Sequence, residues 1–410
     1  MLQNHMTFVI PTHRLRDVGE TVERYDENFW HNGHSADIVV FDDSSAANHQ
    51  KYFPLLEQTS TVNDLFYVGP REKEEFVRFL CKRLRDSKLN SLVRNLFRPS
   101  YGGNRNFTLM YTLGQRMISS DDDMRPHGLV EDSPESLNEH EICRGKLSKS
   151  TQNGHTRKSF RSGTTDADAV DYVDMYLSDE GQIDIEALNN LYVLVNFRPA
   201  VTNKNWRIDC GVAGYDNTVG LPPFFPTRLR FEDYIYRLWI QQQGIVAAHV
   251  DSVQTHTKSN YMRNPLAAEV FNEEVCNLLK KKIKSSLTKI NDLSIGFEYE
   301  GEVTLQDTEE ILENIRSLHA RVLKAAEAAA VEERKRSLNV FAVSLERAFY
   351  SFEPDFFQQN VTRMVDDVIS QIKSSLELWP TLVEIVFFQK HRKALPQVRV
   401  KNKKNSRAAA

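Results

Sequence analysis

The stretch "MTFVIPTH" (residues 6–13) predicts the fold class, because a short apolar run ends there in a proline and polar residues. Such a run is typical of a buried strand that leads into a loop. Two further runs, "ADIVVFDDSS" (36–45) and "DLFYVG" (64–69), have the same character. Helical spacing of apolar residues separates the runs, over 17–31 and 46–58. Alternation of strand and helix predicts a parallel sheet covered by helices, and therefore an α/β fold.

Polar residues follow three of the predicted strands. These residues are Pro11 and Thr12, then Asp42 and Asp43, and finally the run Asp121, Asp122 and Asp123 after "RMISS" (116–120). In open α/β sheets, ligands bind outside the carboxyl ends of the strands. We therefore expect the three polar strand ends to meet at one edge of the sheet.

The three consecutive aspartates raise the question of what balances their charge. Asp121 and Asp123 are two residues apart, so in an extended segment both side chains point to the same side. Two carboxylates placed in this way suit Mg²⁺ or Mn²⁺ holding a diphosphate, and the ion would neutralise the run. The alternative is a solvent-exposed turn whose acids cap the next element.

The pair Asp42-Asp43 could belong to a phosphatase, to a phospho-receiver or to a nucleotide site. The phosphatase pattern Asp-x-Asp-x-Thr fails, because Ser44 stands two residues after Asp42. A receiver domain is shorter and does not need a later aspartate run. Acids here can instead accept hydrogen bonds from a nucleobase or a ribose.

Further along, "YGGNRNFTLMYTLGQ" (101–115) predicts a helix in which Gly102 and Gly103 permit close backbone approach. Arg105 can contact an anion or a base. Glu232 and Asp233 open another predicted helix, where acids commonly complement the helix dipole. One of them could instead act as a general base toward an acceptor.

Histidine offers a possible metal ligand. His256 ends a predicted strand and would have to come within reach of Asp123, and His249 is its rival.

The ordered motifs "TFVIPTHR", "IVVFDDSS", "GGNRN" with Gly114, "ISSDDDMRP", "DCGVAGYD" and "RFEDYIYRLW" resemble those of family-2-like glycosyltransferases of the GT-A fold. The resemblance covers about residues 6 to 260. It implies a Rossmann-like mixed sheet flanked by helices, a nucleotide-diphosphate sugar donor (UDP- or GDP-linked), and an acceptor that is a saccharide, a lipid or a small molecule. It also implies a Mn²⁺ or Mg²⁺ cofactor.

The resemblance also implies roles for individual residues. Donor contacts would come from the set Pro11, Thr12, Arg14, Asp42, Asp43, Arg105, Asp121 and Asp122. Asp121, Asp123 and His256 would hold the metal, with Asp233, or Glu232 beside it, as the catalytic base of an inverting enzyme. Ser44 replaces the usual glycine after the paired acids, and the Glu-Asp motif lacks its glycine-rich lead-in. Retaining enzymes of related shape do not use such a base, so both stereochemical outcomes stay open.

Two other classes compete with this interpretation. A sugar nucleotidyltransferase should carry a glycine-rich loop with Arg and Lys after the first strand, whereas "PTHRLRDVGE" has one glycine. A non-catalytic nucleotide-sugar-binding scaffold would use the helical region instead.

The rest of the chain divides by composition. Residues 1–265 form the predicted glycosyltransferase domain, with a polar, mobile insertion at 133–168. Residues 266–388 predict a helical C-terminal region. Residues 389–410 read as a basic, solvated tail, with eight Lys or Arg and no acid up to residue 407, which allows weak peripheral contact with acidic membranes.

The net charge of −4 argues against nucleic acid binding. Without a long apolar span or a signal-like N-terminus, we expect a cytoplasmic protein.

Overall fold

The structure is a computed structural model of the 410-residue chain. It describes residues 6–31, 34–44, 46–127, 192–195, 201–203, 212–218, 220–225, 236, 240, 248–250, 253–256, 267–287, 302–330, 332–349 and 354–401. The expected insertion at 133–168 lies outside these residues.

A six-stranded mixed sheet flanked by helices organises the first part of the chain. Its strands are β1 (Met6–Thr12), β2 (Ala36–Asp42), β3 (Leu65–Val68), β4 (Arg116–Ser120), β8 (Val212–Asp216) and β11 (Val398–Lys401), in the spatial order β11-β3-β2-β1-β4-β8. The four central strands are parallel, as the sequence predicts, and β8 and β11 are antiparallel edges. The α/β class is therefore confirmed.

The predicted end of the first strand at its proline is wrong, because β1 continues through Pro11 to Thr12. Pro11 pairs with Phe41 of β2. On the other side, the pairing of β1 with β4 ends at Val9. Pro11, which has no N–H, thus lies beyond the part of β1 that is paired on both sides.

Helices cover both faces of the sheet, because both faces of its central strands are apolar. Phe8 and Ile10 of β1 pack into one core with α1 (Leu15–His31) and α2 (Ala46–Gln58). Val9, which points the other way, packs into a second core with α3 (Pro70–Leu84), α4 (Ser87–Leu96) and α5 (Tyr101–Tyr111). The alternation of side chains along a strand explains why neighbouring residues belong to different cores.

The sequence over 71–98 predicts a single helix, but the structure has two helices there. Arg85 adopts a left-handed conformation with φ of 57° and ends α3. The carboxylate of Asp86 then accepts hydrogen bonds from the backbone N–H groups of Lys88 and Leu89, which caps α4.

In the described part of the C-terminal region, the chain forms four long helices, as expected. They are α6 (Ala267–Leu287), α7 (Leu305–Ala328), α8 (Glu332–Phe349) and α9 (Pro354–Lys390). They share a core of their own, but α9 extends beyond it: Trp379 and Leu382 pack into the core beneath the sheet. Within the described residues, every helix is too short or too polar to span a lipid bilayer.

The expectation of a solvated tail from residue 389 is wrong for its first half. Leu395 is buried, and the carbonyl of Pro396 accepts a hydrogen bond of 2.6 Å from the Tyr111 hydroxyl. β11 then pairs with β3, and Arg399 forms an ion pair with Asp64 at 2.5 Å. The tail thus supplies an edge strand of the sheet.

The remaining strands that the structure describes form two small sheets. β5 (Met124–His127), β10 (Val253–His256) and β6 (Tyr192–Val195) form one, and β7 (Val201–Asn203) pairs with β9 (Ala248–Val250) in the other.

Candidate functional site

The candidate site lies where the strand order reverses. From β1, the chain proceeds outward through β2 and β3 on one side, and β4 is the neighbour of β1 on the other. Such a switch point leaves a crevice at the carboxyl ends of the strands, where ligands of open α/β sheets bind. Thr12 ends β1, Asp42 ends β2 and Ser120 ends β4.

The aspartate run follows β4 as a turn, and the extended conformation expected for it does not occur. The N–H of Met124 donates to the carbonyl of Asp121 at 3.3 Å, which closes the turn before β5. The Asp121 side chain is 30% exposed, whereas those of Asp122 and Asp123 are 2% and 1% exposed. The two adjacent, buried carboxylates therefore form the pair, instead of Asp121 and Asp123.

The cation that balances this pair is the guanidinium of Arg14. Its Nη1 lies 2.7 Å from Oδ2 of Asp123, and its Nη2 contacts Oδ1 of Asp122. The hydroxyl of Thr12 donates to the other oxygen of Asp122 at 2.6 Å. Burial acts to lower the pKa of Arg14, but attraction to the two carboxylates outweighs burial and raises it. Arg14 is therefore a permanent positive charge.

Asp121, the first aspartate of the run, contacts a different arginine. Nη2 of Arg105 lies 3.1 Å from Oδ1 of Asp121, and Arg105 itself is buried. Arg105 lies in the second turn of α5, whose N-terminus is capped by the Ser100 hydroxyl accepting from the Gly103 N–H at 3.0 Å. A Cβ on Gly103 would overlap the carbonyl oxygen of Arg98. This glycine therefore serves close packing within the chain.

Asp42 and Asp43 have different surroundings. Asp42 is fully buried and accepts hydrogen bonds from the Tyr67 hydroxyl at 2.8 Å and the Ser44 N–H at 2.6 Å. Asp43, whose side chain is 11% exposed, forms an ion pair with Lys73 at 2.5 Å. Burial lowers the pKa of Lys73, and the charge of Asp43 opposes this effect. Asp43 is therefore the acid of the pair that a ligand can approach.

The described residues do not fit a divalent ion in their present arrangement. No three acidic, histidine or cysteine side chains among them are grouped so as to hold a metal. Asp122 and Asp123 face Arg14, and Asp121 faces Arg105. The cation position that the sequence assigns to Mg²⁺ or Mn²⁺ is thus filled by arginine.

The strand register distinguishes the two histidines considered as ligands. His256 lies opposite Met124, directly after the aspartate run, although its side chain lies outside the described residues. His249 lies opposite Thr202 in the separate two-stranded sheet.

Glu232 and Asp233 also lie outside the described residues. Nearby in the chain, Tyr236 is helical and buried, and its ring stacks on Phe224 with centroids 3.7 Å apart. The guanidinium of Arg105 lies 5.8 Å from the centroid of the same Phe224 ring. Phe224 therefore contacts both Arg105 and Tyr236.

Sequence reasoning missed four residues that shape the site, namely Tyr52, Tyr67, Lys73 and Asn104. The Tyr52 hydroxyl lies 3.1 Å from the Thr12 hydroxyl, and Asn104 accepts a hydrogen bond of 2.6 Å from Lys73. Their partners are 25 to 40 residues away in the chain, and no local pattern marks them.

Comparison of the chain with protein-family models, with curated proteins and with solved structures gives no match.

Proposed function

We propose that the chain is a glycosyltransferase of GT-A type, which moves a sugar from a UDP- or GDP-linked donor to an acceptor hydroxyl. The observation that carries the proposal is the pairing of arginines with the acidic turn at the switch point. Arg14 and Arg105 lie there beside the carboxyl ends of β1 and β4. The resemblance of the ordered motifs supports the same class.

The donor diphosphate would bind beside Arg14. The Arg14 side chain is 40% exposed, and Arg14 immediately precedes α1, whose N-terminus carries a partial positive charge. Positive groups fixed at the leaving diphosphate stabilise the charge that develops on it as the glycosidic bond breaks. This stabilisation of the leaving diphosphate is electrostatic and needs no proton transfer from Arg14.

The nucleoside would lie toward β2, with Asp43 as its acceptor of hydrogen bonds. Asp42 is fully buried and bound by Tyr67 and Ser44, so it holds the strand end in place. Asp43 is partly exposed and also accepts from the Ser100 N–H at 3.3 Å. Pro11 and Thr12 shape this side of the crevice.

The acceptor hydroxyl would lose its proton to Asp233 if the reaction inverts the anomeric centre. Glu232, its neighbour, would then be the helix-capping acid. A saccharide, a lipid or a small molecule can supply the hydroxyl.

A divalent ion would offset charge on the departing diphosphate if Asp121 and Asp123 bound it, as the resemblance implies. Arg14 and Arg105 hold these two carboxylates in the structure. The proposal therefore does not depend on an ion.

The sugar nucleotidyltransferase alternative is disfavoured by the connection after β1. β1 ends at Thr12 and α1 begins at Leu15, so only His13 and Arg14 join them. Two residues, neither of them glycine, cannot form a glycine-rich phosphate loop.

The test is a panel of UDP- and GDP-sugars, with thermal shift as the first readout and release of UDP or GDP as the second. A donor that binds the folded state raises the melting temperature by mass action. We expect at least one donor to stabilise the protein and to release its nucleotide when a suitable acceptor is present. Stabilisation without release of nucleotide, whatever the acceptor, would favour the binding scaffold. The absence of both stabilisation and release would refute a nucleotide-sugar site.

A further inference from the structure

We infer that Arg14, held by Asp122 and Asp123, takes the place of the divalent ion, so that this site binds a nucleotide diphosphate without metal. The inference rests on the proposed function and extends it to the chemistry of donor binding. It follows from the disagreement between the implied metal and the arrangement of the aspartate turn.

The three side chains differ in how accessible they are to a ligand from solution. The carboxylates of Asp122 and Asp123 are 2% and 1% exposed, whereas the Arg14 side chain that contacts both is 40% exposed. Arg14 is thus the most accessible member of the group. An ion from solution would have to displace the guanidinium before it could reach either carboxylate. A phosphate group would reach the Arg14 side chain before it reached either carboxylate.

Displacement would be costly. Removing Arg14 would take away the guanidinium that contacts two adjacent carboxylates, both almost fully buried. Breaking a buried ion pair by removal of one partner is strongly destabilising, because the remaining charge is uncompensated. The hydrogen bond from Thr12 would remain, but a neutral hydroxyl does not balance two negative charges.

The orientation of the guanidinium also favours binding of an anion. A guanidinium has five N–H donors in a rigid fork, and the aspartates use donors on its two terminal nitrogens. The side chain is therefore oriented before any ligand arrives, and the guanidinium has more N–H groups than the two contacts with the aspartates use. An oriented guanidinium loses little conformational entropy when it binds an anion.

Asp121 does not by itself restore a metal site. It is the accessible aspartate, but Arg105 contacts it at 3.1 Å. Protein-bound Mg²⁺ usually requires one or two carboxylates together with phosphate and water, and here the only exposed carboxylate of the turn faces a buried arginine.

The test measures binding of UDP and of GDP by calorimetry, in EDTA and then in Mn²⁺, for wild type, Arg14→Gln, Arg14→Lys and Arg16→Gln. We expect the wild-type Kd of the nucleotide that binds to differ by less than about threefold between the two conditions. Charge-assisted hydrogen bonds are worth enough that Arg14→Gln should weaken binding in EDTA by roughly ten- to hundredfold, with Arg14→Lys between the two.

Arg16→Gln is the matched control, because Arg16 is 71% exposed and its ion-pair partner among the described residues is its neighbour Asp17, at 3.9 Å. It should bind like wild type. If Arg14→Gln does not fold, Arg14→Lys and the two wild-type conditions still decide the question.

Wild-type binding that requires Mn²⁺ would overturn the inference and leave the proposed function standing. The site's carboxylates would then recruit an ion after Arg14 moves. No binding of either nucleotide in either condition would overturn the inference together with the proposed function.

Discussion

Arg14 lies 108 residues from Asp122 in the chain, yet the two share an ion pair in the folded protein. Sequence reasoning identified Arg14, Arg105 and the acids at the strand ends, but it missed Lys73. It could not predict which cation would meet which acid, since that depends on the turn after β4 and on where the side chain of Arg14 points. The pairing of arginine with the aspartates is a tertiary contact, which the sequence does not show. A divalent ion is therefore the cation that the sequence predicts for the aspartate run.

The ion pair of Asp43 and Lys73 leads to a prediction on stability. Lys73 is 6% exposed, and Asp43 is its acidic partner at 2.5 Å. Asp43→Asn should lower the free energy of unfolding by about 3–5 kcal/mol, because it removes the ion-pair partner of a buried ammonium. Urea unfolding measures the change.

The double variant Asp43→Asn/Lys73→Met is the control. Because it removes both charges, it should recover much of the loss. Equal destabilisation of the single and the double variant would show that the ion pair does not cause the effect.

The general base gives a second prediction for single residues. Asp233→Asn should keep donor binding and reduce turnover roughly a hundredfold to ten-thousandfold, the usual contribution of a general base. Glu232→Gln should be milder, since a capping acid does not take part in proton transfer. Near-normal transfer by Asp233→Asn would place the base elsewhere or indicate retention of configuration.

At the level of elements, most helices and central strands were predictable because apolar periodicity is local. The break between α3 and α4 was missed, although Asp86 is a good N-cap residue. Apolar residues on both sides of it continue the helical spacing, which masked the cap. β11 was missed for a similar reason: Val398 and Val400 alternate with Arg399 and Lys401, and the basic charges obscured this strand pattern.

The end of α9 contains a group whose ionisation should affect stability. The Lys390 ammonium donates to the carbonyls of Tyr111 and Leu113 at 2.8 and 2.7 Å, which ties α9 to the end of α5. Burial lowers the pKa of Lys390 to about 8, from 10.5 in a model compound. Between these values the unfolded chain holds a proton that the folded protein has released. The free energy of unfolding should therefore rise with pH through this window.

The measurement is the difference in free energy of unfolding between wild type and Lys390→Met across that pH range. The titration of all other groups largely cancels in this difference. A flat difference would mean that the pKa of Lys390 is not lowered in the folded protein.

At the scale of the whole molecule, the two ends of the described chain meet in one sheet. The division into a domain that ends at residue 265 and a separate tail was an expectation from composition. In the structure, β11 completes the edge of the sheet beside β3, and Trp379 of α9 donates a hydrogen bond of 2.7 Å to the carbonyl of Leu221. Composition cannot show such contacts, because they join segments more than 150 residues apart.

Deletion of residues 395–410 should therefore destabilise the protein, by roughly 2 kcal/mol or more, through loss of buried Leu395 and the edge strand. Deletion of residues 402–410 alone is the matched control and should leave the melting temperature nearly unchanged. Equal effects of the two deletions would contradict a structural role for β11.

Contact of the basic tail with acidic membranes stays a prediction. Arg392 and Lys393 are exposed and could make this contact, whereas Arg399 is paired with Asp64.

The most direct test of the central claim is amide hydrogen exchange with and without each UDP- or GDP-sugar of the panel. The claim is that the donor binds at the carboxyl ends of β1, β2 and β4. A bound donor should slow exchange in peptides that contain 12–17, 42–44, 100–105 and 120–124, and leave α7 and α8 unchanged. Slowed exchange confined to the C-terminal helices, or none with any donor, would contradict the claim.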